Sequence, residues 1–375
     1  MRSFRRFARR AGRVLRTRYP RFVLGLPLSD GEVPAFVYHD VDGETLVADL
    51  EFLQANGYAT LTTQEFVAEQ DSPRPRRAVL LSFDDARREF WEIAFPLLRK
   101  YRARATLFAP TYWIEGNVAS GGENEASARP RFMTWDELRE CATSELVDVQ
   151  PHGHRHALVH VSDRLEGFVT PELLARYDIF EWPMRLGDGL DELGTPPLGT
   201  PVFQAAPLHS VARCVLEDAD VVQVCRALAA RGGGERFFTR PDWKMRLRRV
   251  FRDAMSKAPP FRIVKGEMFR QLVASEFQMC AELFERELGF SPRYFCYPWR
   301  LGSSLSLRLA ADAGFVAAFG VGLDFRRAGR PGPLPTFGRF RADWLRFLPG
   351  EGRRQLREVV PKRLRALFRP AHYAH

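Results

Sequence analysis

The stretch Ala78-Val79-Leu80-Leu81-Ser82-Phe83-Asp84-Asp85 constrains the fold more than any other. Its first six residues, apolar except for one Ser, predict a short strand buried on both faces. Apolar residues then return at helical spacing between Arg87 and Lys100, at Phe90, Ile93, Ala94, Leu97 and Leu98. A buried strand that feeds a helix is half of a βα unit, and such units assemble into mostly parallel sheets with right-handed crossovers. The alternation recurs along the chain. Strands are expected at 34–38, 78–83, 104–109, 146–150, 293–297 and 315–319, and helices at 44–56, 88–101, 134–142, 270–287 and 303–313. The fold class is therefore α/β, and 375 residues suffice for a large buried core with an insertion.

The run ends in two adjacent carboxylates at a strand-to-helix junction, where α/β folds carry their chemistry. Neighbouring side chains there point in different directions, so one Asp can bind a metal while the other faces a substrate. Taken alone, the pair reads equally well as a helix cap beside a solvated loop residue. The second constellation is His152-Gly153-His154-Arg155-His156, which follows the strand-like Leu146–Gln150 and Pro151. Only 8 His occur in the chain, and four of them, at 152, 154, 156 and 160, fall here. The plainer alternative is a surface His/Arg cluster, with His154 facing solvent and His160 on the segment leaving the site. Together the two segments offer enough carboxylate and imidazole to hold one divalent metal and spare one acid or base, the equipment of a hydrolase.

These residues resemble the polysaccharide deacetylases, also called the NodB-homology or carbohydrate esterase 4 group. Ser82-Phe83-Asp84-Asp85 is similar to the family's Thr-Phe-Asp-Asp-Gly motif, and His152 and His156 to its His-x-x-x-His motif. Tyr294-Phe295-Cys296-Tyr297-Pro298-Trp299 resembles the third motif, and Ala313–Ala318 the strand after it. Val37-Tyr38-His39-Asp40-Val41 and the segment Phe52–Tyr58 fit the family's opening. The resemblance runs in order from about residue 33 to about residue 320. It implies a distorted (β/α) barrel of the NodB-homology type, with fewer than eight strands. It also implies roles: Asp85, His152 and His156 as metal ligands, zinc being the metal that suits them, Asp84 as general base, and the Trp299 backbone N–H as oxyanion donor.

Three departures bear on that assignment. Ala86 stands where the family has Gly, a change a small residue should tolerate. Cys296 stands where many members carry an Arg that orients the base, and Arg300 stands where Gly is usual; Arg300 would take over that role only if the backbone there differed. No late Leu-x-His motif supplies a general acid; His39, at the end of the first expected strand, is the candidate instead, and His154 a second one for which a solvent-facing position is the plainer reading. A structural hydrogen bond at the strand end is the plainer reading of His39.

The chain divides into a basic N-terminal segment (1–30), a deacetylase-like barrel (31–345) and a basic tail (346–375). The barrel carries a turn-rich insertion at about 162–263, with helical spacing at Ala219–Ala230 and a basic stretch at Lys244–Arg252. The insertion reads as a lid over the barrel mouth or as a surface subdomain. The net charge is +10, and residues 1–21 hold nine Arg around Phe4, Phe7, Ala11, Val14 and Leu15. That pattern suits an amphipathic segment lying on an anionic membrane, though a solvated tail or a general arginine bias gives the same composition. No base-stacking module is visible, so specific nucleic-acid binding is not expected.

No 7–15-residue apolar run follows the basic start, and five Cys without a C-x-x-C pair suggest reduced thiols. A cytoplasmic enzyme, peripheral to the inner membrane surface, is expected. The reaction expected is metal-dependent removal of an acetyl group from an N-acetylated sugar, either a polysaccharide or a lipid-linked intermediate. An amide hydrolase with a non-sugar substrate, or an impaired relative that only binds glycan, are the alternatives.

Overall fold

The computed structural model describes residues 20–28, 32–70, 77–114, 131–186, 192–257, 261–320 and 333–355. The amphipathic N-terminal segment and most of the basic tail lie outside the described residues.

In chain order the elements are β1 (Ala35–Tyr38), α1 (Gly43–Ala55), β2 (Ala59–Leu61), α2 (Thr63–Glu69) and β3 (Ala78–Asp84). A π-helical stretch, Phe90–Ala94, then runs into α3 (Phe95–Tyr101). After it come β4 (Ala105–Ala109), α4 (Trp135–Thr143), β5 (Val147–Pro151), β6 (Leu158–Phe168), α5 (Pro171–Arg176), β7 (Pro183–Met184), β8 (Pro201–Pro207) and β9 (Arg213–Leu216). The remainder is α6 (Ala219–Arg231), α7 (Glu235–Phe238), α8 (Trp243–Met255), β10 (Arg262–Lys265), α9 (Glu267–Leu288), β11 (Tyr294–Cys296), α10 (Ser304–Asp312), β12 (Ala317–Phe319), β13 (Thr336–Phe337) and β14 (Phe340–Arg341). The strand and helix positions expected from periodicity agree with these to within a few residues. Helix starts follow side-chain chemistry. Thr62 and Thr134 each form a reciprocal capping box with the Glu three residues on, and Asp42 accepts from the Thr45 N–H at 2.9 Å.

The chain forms two compact units, the first comprising Met1–His154, Cys280–Cys296 and Phe315–His375. In this unit a parallel sheet runs in the order β14-β1-β3-β4-β5, with β2 also pairing β3. Every residue of β3 is buried, which is why its sequence is an apolar run rather than an alternation. A second parallel sheet is β11-β12-β13. Among the described residues no ladder joins β5 to β11. Instead the Gln150 Oε1 accepts from the N–H groups of Arg293 and Tyr294 at 3.1 and 3.0 Å. Leu80, Phe108, Tyr294, Phe319 and Phe337 fill the space between the two sheets. The architecture is thus α/β with a mostly parallel central sheet, as the strand–helix alternation predicts.

Because the strands are parallel, their carboxyl ends share one edge. Register places Tyr38 beside Phe83, Asp84 beside Phe108, and Ala109 beside Pro151. His39, Asp84 and His152 therefore leave neighbouring strand ends on the same side of this sheet.

The second unit comprises Arg155–Met279 and Tyr297–Gly314. The long strand β6 crosses the boundary expected at 162 and pairs antiparallel with β8. Helices α6 and α8 pack on a core of Phe168, Cys225, Ala229, Phe237 and Leu247. Gly199, at φ +83°, lies so close to α6 that a Cβ would come within 2.7 Å of the Ala229 Cβ. Among the described residues no helix is long and apolar enough to cross a membrane.

Candidate active site

In the first unit β3 delivers Asp84 to a wholly buried position. Burial alone would raise its pKa, but the Arg339 guanidinium, then His152 and the Arg339 hydrogen bonds, hold the carboxyl well below the usual carboxylate range. Arg339 is 0% exposed. Its Nη1 donates to Asp84 Oδ1 at 2.6 Å and its Nη2 to Oδ2 at 2.7 Å, a bidentate clamp. The same guanidinium reaches Ser82 Oγ at 3.0 Å and Cys296 Sγ at 2.9 Å, and lies 5.2 Å over the Phe108 ring.

The guanidinium that clamps Asp84 thus comes from Arg339, between β13 and β14, a residue the sequence motifs do not single out. A thiol at position 296 explains the arrangement. An Arg side chain there would put a second cation against Arg339, whereas the small Cys296 accepts from it.

His152 follows the end of β5. Its Nδ1–H donates to the Cys296 carbonyl at 3.0 Å, which fixes the tautomer and turns the Nε2 lone pair toward the carboxylates. Nε2 lies 3.6 Å from Asp84 Oδ2 and 3.7 Å from Asp85 Oδ1. Burial pushes the imidazole pKa down to about 4 against the upward pull of Asp84, so the ring is neutral at pH 7, the form that ligates metals. Arg339 already engages both Asp84 oxygens and the Cys296 thiol. The neutral His152 and the carboxyl oxygens of Asp85 are then the pair in this unit whose chemistry fits a divalent cation. His39 Nε2 lies 3.7 Å from Asp84 Oδ2 with its side chain 31% exposed, beside the base yet open to solvent.

His154 is buried rather than solvent-facing, since its Nδ1 pairs with Thr111 Oγ1 at 2.9 Å. His160 is also buried, in the second unit, where its Nδ1 meets Glu217 at 3.0 Å. There Arg155 donates from its backbone N–H and its guanidinium to the buried Glu276, both at 2.9 Å, anchoring the loop that carries His156. The His156 ring packs on Phe180 at 4.2 Å and on Trp299 at 5.5 Å. The structure therefore brings Asp84, Asp85, His152 and His39 together in the first unit, and His156 and Trp299 together in the second.

Backbone strain marks the same residues. Seven non-glycine residues have positive φ among the described ones, and five of them are Asp85 (74°), Ala86 (47°), His156 (52°), Trp299 (59°) and Arg300 (59°). Such conformations persist where the surroundings over-determine them, and they cluster at functional sites.

Residues 71–172 match the polysaccharide deacetylase family model. The poly-beta-1,6-N-acetyl-D-glucosamine N-deacetylase of Escherichia coli strain K12 is 30% identical over 107 residues, which is 27% of this chain and 16% of that protein. The protein of the same description from Staphylococcus epidermidis is 30% identical over 122 residues, 32% of this chain and 39% of the relative. The matches thus span well under half the length of these relatives. The BpsB deacetylase domain from Bordetella bronchiseptica aligns with a TM-score of 0.51 at 17% identity, covering 84% of this chain and 98% of that one, which is a likeness of fold.

Proposed function

We propose, for a chain that belongs through residues 71–172 to the polysaccharide deacetylase family, that it hydrolyses the acetamide of an N-acetylated sugar. The observation that carries the reading is the Asp84–Asp85–His152 cluster, with one carboxylate clamped by Arg339 and a neutral imidazole aimed at both.

Asp85, His152 and His156 would hold a divalent cation, zinc by ligand type. Such a cation, when bound, supplies a Lewis acid and a water of lowered pKa. Asp84 accepts the proton of the attacking water, its carboxylate kept ionised and aimed by Arg339. The N–H of Trp299 donates to the oxygen that gains charge as the carbonyl carbon becomes tetrahedral. His39 hands a proton to the departing amine as the C–N bond breaks, leaving acetate and a free amino sugar. The relatives' N-deacetylase activity on poly-beta-1,6-N-acetyl-D-glucosamine supports a glycan substrate. A cytoplasmic site of action on a lipid-linked intermediate, with the basic chain ends against the membrane, is part of the same reading.

The test is metal content together with acetate release from N-acetylglucosamine oligomers, for wild type, Asp85→Ala and Asp84→Asn. Wild type should hold about one metal per chain and release acetate. Asp85→Ala should lose both, and Asp84→Asn should keep the metal and lose the activity. Tight metal binding with no acetate from any sugar would move the reading to a glycan binder or to a hydrolase of other amides. A chain that binds no metal would overturn it.

A further inference from the structure

The second unit holds a surface that the hydrolytic reading does not use. Between residues 231 and 265 the sequence has eleven Lys and Arg against three Asp and Glu, a net charge of +8 in a chain whose total is +10. Helix α8 organises this charge. Trp243, Leu247, Val250 and Phe251 turn toward the unit's core. Lys244, Met245, Arg248, Arg249 and Arg252 are exposed on the opposite side. Among the described residues, the ion pair on this face is Arg249 with Asp253 at 3.9 Å. Met245 stands 68% exposed among these cations. Phe203 packs against both Phe251 of α8, at 5.9 Å, and Phe261, at 5.2 Å, which sets the start of β10 beside the helix. There Ile263 is 46% exposed, with Arg262 and Lys265 around it.

We propose that this face of α8, with the start of β10, docks on an anionic membrane surface. The charge complements anionic headgroups, each Lys or Arg near such a leaflet adding about fivefold to binding. The two exposed apolar side chains separate this partner from other polyanions. Met245 and Ile263 gain by entering the headgroup boundary, whereas a nucleic acid or an acidic polymer offers them nothing. The aromatic rings of α8 face inward, so the outer face has no platform on which bases could stack. Because the helix's apolar stripe is already spent on the core, docking is peripheral and electrostatic.

The experiment is sedimentation of the full chain with vesicles of 70% phosphatidylcholine and 30% phosphatidylserine, against vesicles of phosphatidylcholine alone. Wild type should bind the first and not the second, and lose binding in 0.5 M NaCl as screening shortens. Arg248→Glu/Arg249→Glu/Arg252→Glu should weaken binding by about 100-fold or more, with an unchanged circular dichroism spectrum and thermal midpoint. Met245→Ser should weaken it several-fold with the charge intact. The triple variant binding as wild type does would overturn the assignment and leave any binding to the basic chain ends. A single-stranded oligonucleotide binding as tightly as the anionic vesicles, with no effect of Met245→Ser, would also overturn it and make the face a general polyanion surface.

Discussion

Replacing Arg339 with Met tests the core of the catalytic reading. The variant keeps most of the volume and removes a cation that makes two charge-assisted hydrogen bonds to one buried carboxylate. Asp84 stays buried, so desolvation is no longer opposed by its largest counter-charge, and its pKa should rise. Breaking a buried pair by removing one partner typically costs about 3–5 kcal/mol. A base that is more readily protonated and poorly aimed should lower kcat/KM by about 10²–10³. The acidic limb of the pH–rate profile should move alkaline, so that part of the lost activity returns as pH rises. Metal content should be unchanged, and Arg339→Lys should fall between the two because it keeps the charge and loses the fork. In wild type the pair also adds stability that is present above about pH 4 and lost as Asp84 takes a proton in acid. A folded Arg339→Met protein with the wild-type rate, or one slowed equally at every pH, would refute the reasoning, because Arg339 would then do nothing to the base that packing alone does not.

Two further outcomes follow from the same unit. Ala86→Gly should stabilise the protein by roughly 0.5–1 kcal/mol, since φ is 47° at this buried position and a Cβ is a steric liability there. Urea unfolding at fixed pH measures it, and an unchanged or lower midpoint would show that the Ala86 methyl's packing outweighs its strain. Asp49 is buried between the Tyr38 hydroxyl and Arg346, each at 2.9 Å, and burial pushes its carboxyl up to about 6 despite both partners. The folded pKa lies above the unfolded one, so the native state binds the extra proton between about pH 4 and 6 and loses stability as pH rises through that window. Relative to Asp49→Asn, wild type should lose up to about 3 kcal/mol between pH 4 and pH 7. Parallel stability curves for the two proteins across that range would contradict this.

The parts of the site that were legible in the sequence are those written in local patterns. Residues 78–83 are apolar but for Ser82 because β3 is buried on both faces, and the residues after an apolar run lie at a strand end whatever the rest of the chain does. That placed Asp84, Asp85 and His152. Arg339 was not legible for the opposite reason. Its flanking strands, β13 and β14, are two residues each, too short to show a period. An arginine in a chain with 56 Lys and Arg draws no notice. The one available signal was the gap at Cys296, which said that a base-orienting cation had left its usual position without saying where its replacement came from. His154 was misread because its partner, Thr111, is 43 residues away, and a hydrogen bond across adjacent strand ends leaves no trace in a His-rich stretch. Backbone conformation was equally hidden. Ala86 looked like a tolerable change from Gly, and only the structure shows that it occupies a left-handed position.

The arrangement around Arg339 also bears on why it persists. A buried ion pair is weak evidence for stability, since well-packed apolar residues of similar volume serve as well or better. If the pair existed to hold β14 against β3, a Leu and a Met would suffice. Instead the first unit satisfies one guanidinium with a carboxylate on two edges, a Ser hydroxyl and a Cys thiol, and places an aromatic face beneath it. The carboxylate it holds ends the only strand among those described in this unit that pairs on one side with β1 and on the other with both β2 and β4. A His lies 3.7 Å from it on the solvent side and another 3.6 Å from it on the buried side. What this expenditure secures is an anion fixed in position and kept ionised in a place where burial would otherwise protonate it. A general base next to a metal site needs that condition, whereas a structural carboxylate would be cheaper as an amide.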